Sequence, residues 1–196
     1  MTFMPVRIVA VAAALTTAVV VSSCSKTEDH SQHATSTTMS SATAAAHDAD
    51  DVMFAQMMIP HHQQAVQLAS LAPQHTDNQA ILKLASSIAG EQQPEIDAMK
   101  ALLLQWDVDP MGDHSGHGAA MRGMVDDATM AKLGSLKGPE FDTLWLQAMI
   151  GHHQGAIEMA KAEIVNGQSA DMTTMAKSMV SAQQSEIDQM KQMLGG

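Results

Sequence analysis

The sequence predicts an all-α protein, a four-helix bundle assembled from two copies of one antiparallel helix pair. Three observations predict it. Residues 51–105 recur at a constant offset in residues 142–196: DVMFAQMMIPHHQQAVQLA matches DTLWLQAMIGHHQGAIEMA, and EQQPEIDAMK matches AQQSEIDQMK. The offset is the same for both segments, so the copies share every loop length and build equivalent units. Within each copy, apolar residues return at three- and four-residue spacing, the period of a helix with one buried face.

The elements follow in chain order. Arg7 and the apolar, small-residue run 8–21 form a leader closed by Val21-Ser22-Ser23-Cys24, which reads as a bacterial lipobox with Cys24 as the lipidated first residue of the mature chain. The run is short of the about 20 apolar residues that span a bilayer. Residues 24–50 are Ser, Thr, Ala and His with almost no large apolar side chain, too little to offset ordering entropy, and are expected to be a flexible tether. Residues 51–196 are the folded domain: repeat one (51–105), a connector (106–141) and repeat two (142–196).

In the first helix Phe54, Met57, Met58, His61, His62, Ala65 and Leu68 fall within one arc, and Gln63, Gln64 and Gln67 lie opposite. Ala72-Pro73 is expected to end it. The second helix places Gln92, Glu95 and Met99 on the arc of Ile88 and Ile96. Pro94 is expected to kink it, with Gly90 relieving a clash. Within the connector, the irregular stretch Asp107 to Gly123 holds Pro110, four glycines and the spacing Met111, His114, His117, Met121, and a short helix is expected over 126–137 after an Asp cap. The third long helix turns Trp145, Met149, His152, His153 and Ala156 inward and Glu158 outward, ending at Asn166-Gly167. The fourth repeats the second with Gln183, Glu186 and Met190 on the arc of Met179 and Ile187.

Composition limits the chemistry. A net charge of -11, with ten Lys and Arg in the whole chain, excludes a phosphate-backbone interface and hence nucleic acid as a partner. The one cysteine belongs to the lipobox, so no thiolate is left for a metal site, which must use His, Met, carboxylate or amide groups. Imidazole suits Cu(I) and Cu(II), and thioether sulfur favours Cu(I), so His with Met and without thiolate points to copper ahead of iron or another transition metal.

The candidate ligands are His61, His62, His152 and His153, with Met57, Met58 and Met149 one turn earlier, then Glu95, Glu186, Met99 and Met190, and in the connector Met111, His114, His117 and Met121. A methionine stripe also serves as adaptable core filler, and inward histidines also serve as a buried polar network that sets register. Folding each pair back at its short turn places the histidines level with Ile88 or Met179, and Glu95 and Glu186 a turn or more away. One merged site and two separated sites are both compatible with that register.

The segments MMIPHHQQAVQLA, GPEFDTLWLQAMIGHHQGAIEMA and the two QQxEIDxMK stretches resemble the DUF305 family of exported bacterial proteins over residues 51–196. The resemblance implies a ferritin-like four-helix bundle in a secreted or lipid-anchored protein, with some members linked to copper binding and resistance. It carries over His61, His62, His152, His153 and nearby methionines as metal ligands. Neither copy contains the E-x-x-H of di-iron bundles, which speaks against an oxidase. The expected function is therefore a non-enzymatic protein tethered to the membrane through Cys24, outside the cytoplasm, that sequesters or hands on copper. The alternatives are a di-metal oxidase using Glu95, Glu186 and the histidines, and a structural or interaction bundle. A second copy of the chain and a protein that takes over the metal both stay open as partners.

Overall fold

The computed structural model describes residues 46–110, 112 and 122–195. The leader, Cys24, most of the tether, and Met111, His114, His117 and Met121 lie outside the described residues. The described residues contain five helices and no strand: α1 (Ala49–His75), α2 (Gln79–Gln105), α3 (Asp127–Ser135), α4 (Gly138–Asn166) and α5 (Ala170–Gly195). None of these helices is long and apolar enough to cross a membrane.

α1 and α2 form one antiparallel hairpin and α4 and α5 the other. The hairpins meet mainly through α1 and α4, while α2 and α5 barely touch. α1 begins ahead of the repeat boundary because Asp48 and Asp51 make a capping box, each carboxylate accepting the other's backbone N–H. The short helix α3 starts, as expected, on an Asp126 cap, whose carboxylate accepts from Thr129 N–H.

Two expectations fail in the first hairpin. α1 does not stop at Ala72-Pro73 but runs through Pro73 to His75. Proline gives up one backbone donor, yet its fixed φ is helical, and here tertiary contacts hold the last turn. His75 donates its Nδ1–H to the Leu136 carbonyl at 2.7 Å and stacks on Phe141 with ring centroids 5.1 Å apart. α2 runs through Pro94, and a Cβ at Gly90 would meet no side chain and no other element within 4 Å, so that glycine relieves no side-chain clash.

The core is divided. One apolar cluster holds Leu68, Ile81, Ile88, Phe141, Trp145, Met149, Ile187 and Met190. The other holds Phe54, Met58, Ile96, Met99, Trp106, Ala156, Met172 and Met179. Along each long helix the change from one cluster to the other falls on a buried polar residue: His61 and His62 in α1, Gln92 in α2, His152 and His153 in α4, Gln183 in α5. A polar layer thus crosses the middle of an otherwise apolar bundle.

A buried acidic pair closes the end where α1 begins. The fully buried Asp51 carboxylate accepts N–H groups from Asp48 at 2.7 Å, Ser169 at 3.0 Å and Gln168 at 3.2 Å, which ties the start of α1 to the α4–α5 turn. Glu163 packs beside it, and a side chain at Gly167 would collide with both carboxyl groups. Burial acts to raise Asp51, but hydrogen bonds from Asp48, Ser169, Glu163 and Gln168 outweigh it and hold the group below its usual value. Burial, reinforced by Asp51, Asp48 and Asp50, pushes Glu163 up to about 8. Glu163 therefore keeps a proton that it donates to Asp51.

A carboxyl group raised in the folded state stabilises fully below its unfolded value of 4.5, and that stabilisation is lost as pH climbs through about 8. Glu163→Gln keeps a donor for Asp51 and removes the titration. Urea unfolding at several pH values should show the variant level with wild type near pH 5 and more stable by about 2 kcal/mol near pH 9.

Candidate metal centre

The polar layer brings all four histidines together with their rings buried. His61 and His152 face each other across the α1–α4 contact, with ring centroids 3.8 Å apart and planes tilted by 38°. His62 lies on the α2 side and places Nε2 at 2.8 Å from Glu95 Oε2. His153 lies on the α5 side with Nε2 at 2.7 Å from Glu186 Oε2. The arrangement is one central imidazole pair flanked by two His–Glu pairs related by the sequence repeat.

The His–Glu contacts correct the expected register. Because α1 runs on to His75, folding back about residues 76–78 sets Gln92, not Ile88, level with His62, and Gln183 level with His153 by the same construction. Glu95 is one turn beyond that level. Side chains lean toward the N-terminus of their own helix, so in an antiparallel pair His62 and Glu95 lean toward each other and close the gap. The same holds for His153 and Glu186.

Hydrogen bonding fixes which ring nitrogens are free. Carboxylate and carbonyl oxygens only accept, so Nε2 carries the proton in His62, in His153 and in His61, whose Nε2 donates to the Arg122 carbonyl at 3.0 Å. Nδ1 of these three rings is buried with no protein partner, and neither ring nitrogen of His152 has one. The Gln92 carbonyl oxygen and both amide atoms of Gln183 are also unpartnered in this layer. A buried polar atom left without any partner costs about 1–3 kcal/mol, so the layer calls for a bound cation or water to meet these atoms.

Burial pushes His61 down to about 3, helped by the neighbouring His62 and His153 and opposed by the Arg122 carbonyl. Burial, then His61, His153 and His62, hold His152 lower still. Both rings are neutral at any physiological pH and keep a lone pair available to a cation.

A connector segment covers the central pair, and the sequence reading missed it. Gly123 adopts φ +82, and its backbone lies against α4 where Gly155 has no side chain; a Cβ at Gly155 would collide with the Arg122 carbonyl. Gln64, expected to face solvent, instead clamps Val125, donating to its carbonyl at 2.8 Å and accepting its N–H at 2.7 Å. Gly155 stands where the first repeat has Gln64, and this departure from the repeat was the available signal. Glu158 faces solvent as expected and pairs with Arg122 at 2.7 Å.

The methionines separate. Met58 and Met149 are fully buried one turn before His62 and His153. Met99 and Met190 are fully buried within the apolar clusters on either side of the layer. Met57, expected to point inward with the histidines, is only half-buried and lines a groove with Met53 and Met159. No three His, Asp or Glu side chains converge on one point among the described residues. Tetrahedral or bridged di-metal coordination by nitrogen and oxygen therefore does not fit. One or two imidazole nitrogens with a nearby thioether match a soft monovalent ion of low coordination number.

The fold and this layer define a class: an all-α bundle of duplicated helix pairs carrying a buried His-His motif in each half. The chain belongs to the DUF305 family, "Domain of unknown function (DUF305)", whose model matches residues 51–194. Among solved structures, a DUF305 protein of Streptomyces coelicolor is 34% identical at a TM-score of 0.70, covering 74% of this chain and 92% of its own. A DUF305 fragment from Deinococcus radiodurans is 30% identical at a TM-score of 0.70, covering 76% of this chain and 97% of its own. CopM in its Cu(I)-bound form is 32% identical at a TM-score of 0.62, covering 72% of this chain and 93% of its own. CopM is also known in Cu(II)-bound and Ag-bound forms. No curated protein matches the chain.

Proposed function

We propose that this protein binds copper outside the cytoplasm, tethered to the membrane through a lipid on Cys24, and sequesters the metal or passes it on. The observation that carries the reading is the set of unpartnered ring nitrogens at mid-bundle: Nδ1 of His61, His62 and His153, and both nitrogens of His152. Cu(I) is the ion they suit, with Met58 and Met149 as the adjacent soft donors. Glu95 and Glu186 orient the rings instead of binding metal themselves. Each accepts Nε2–H, which points Nδ1 into the layer and raises its basicity, as outer carboxylates do for metal-bound histidine. The likeness to CopM, which binds copper and silver, supports the choice of metal.

With each carboxylate committed to a ring N–H and none bridging two metal positions, an oxidase gains no support. A register device would account for the paired rings of His62 and His153 but not for His152, neither of whose ring nitrogens has a protein partner. Anaerobic Cu(I) titration against a chromophoric competitor should show tight binding by wild type. Changing all four histidines to Ala should weaken binding by at least about 100-fold, more than loss of an outer-shell partner alone. Equal affinity of the two proteins would reject the reading.

A further inference from the structure

A groove between α1 and α4 lies apart from the histidine layer and encloses about 160 Å³. α1 lines it with Asp50, Met53, Phe54 and Met57, and α4 with Met159, Ala162, Glu163 and Asn166. Both sets follow the three- and four-residue spacing of a single helix face, so two antiparallel helices turn matching stripes toward the same space. We infer that this groove is a second metal site, in which the thioethers of Met53, Met57 and Met159 take a soft monovalent cation, Cu(I) or Ag(I).

The repeat supplies an internal control. The positions equivalent to Met53, Met57 and Met159 are Leu144, Ala148 and Leu68, so the repeat-related place, which needs only apolar filler, uses leucine and alanine. There the aromatic pair Phe141 and Trp145 fills the space and is fully buried. At the groove all three positions carry sulfur, Met53 and Met57 from repeat one and Met159 from repeat two, and all three border open volume. Met53 is 40% exposed, which a purely structural methionine gains nothing from. Thioether sulfur discriminates in favour of Cu(I) and Ag(I) and against hard ions such as Mg²⁺ and Ca²⁺. Asp50 brings a carboxylate to the groove, a favourable surrounding for a cation held by neutral sulfurs.

The site stands independently of the histidine layer, and silver titration of the full chain tests it without a change of oxidation state. Methionine methyl NMR on wild type should show the Met53, Met57 and Met159 signals shifting to saturation. A variant carrying Met53→Leu, Met57→Leu and Met159→Leu should bind one Ag(I) fewer per chain while its histidine ring signals respond as in wild type. Groove methyl signals that stay unmoved at saturating Ag(I), or an unchanged stoichiometry in the triple variant, would overturn the inference. A failure of the histidine reading is distinguishable, because the ring signals would then stay still while the groove methyls moved.

Discussion

Replacing His152 by Leu is expected to make the metal-free protein more stable while removing its tight Cu(I) binding. The His152 ring is buried, neutral and packed on His61, and neither nitrogen has a protein partner. An unmet polar group of this kind costs about 1–3 kcal/mol, whereas a leucine of similar volume leaves nothing unmet. Part of that gain is offset by imperfect packing at the His61 ring, so we expect a net increase of about 1 kcal/mol in urea unfolding. Cu(I) affinity should fall by at least about 100-fold.

The pH profile should change with it. A base whose folded value is depressed contributes stability that is full above its unfolded value of 6.5 and is lost as pH falls below that. His152→Leu removes one such group, so the variant should lose less stability than wild type between pH 6.5 and pH 4. A variant that is less stable than wild type without metal would mean that His152 is held by interactions absent from this account.

The largest loss of stability is expected at Asp51, far from the polar layer. Its carboxylate accepts backbone N–H groups on both sides of the junction between α1 and the α4–α5 turn, and it takes the proton of Glu163. Asp51→Ala leaves those donors unmet inside the protein, at a cost of about 3 kcal/mol. For a chain of this length that lowers Tm by about 6–12 °C. The repeat offers a comparison in Asp142, which occupies the equivalent position but receives only a 3.3 Å contact from the exposed Asn78 side chain. Asp142→Ala should cost less than about 1 kcal/mol. Similar melting losses for the two variants would show that the Asp51 junction does not hold the bundle's end.

Helical periodicity was enough to place the four histidines inside, because each sits on the arc of its neighbours and the repeat states the pattern twice. The same arcs put Glu95 and Glu186 on the core side, but not their distance from the rings. That depended on where α1 ends, and Pro73 reads as a stop signal until the contacts of His75 with Leu136 and Phe141 are known. An early stop shifts the register of the first hairpin by one turn and moves Glu95 away from His62. Met57 is a related case: the wheel places it beside Met58, but the closeness of α4 decides which of the two is enclosed. The Asp51–Glu163 pair joins residues far apart in sequence that carry no local signature. The Gly155 contact with the connector was visible only as a break in the repeat.

The central claim is that the buried imidazoles take a soft cation through Nδ1 while Nε2–H stays with its oxygen partner. Heteronuclear NMR of nitrogen-labelled histidine, with and without Ag(I), tests it most directly. The account predicts Nε2–H tautomers for His61, His62 and His153 in the metal-free chain. On addition of Ag(I), silver coupling should then appear at Nδ1 of the layer histidines, with the Nε2 protons retained. Ring spectra unchanged at saturating Ag(I), or coupling at Nε2, would contradict it.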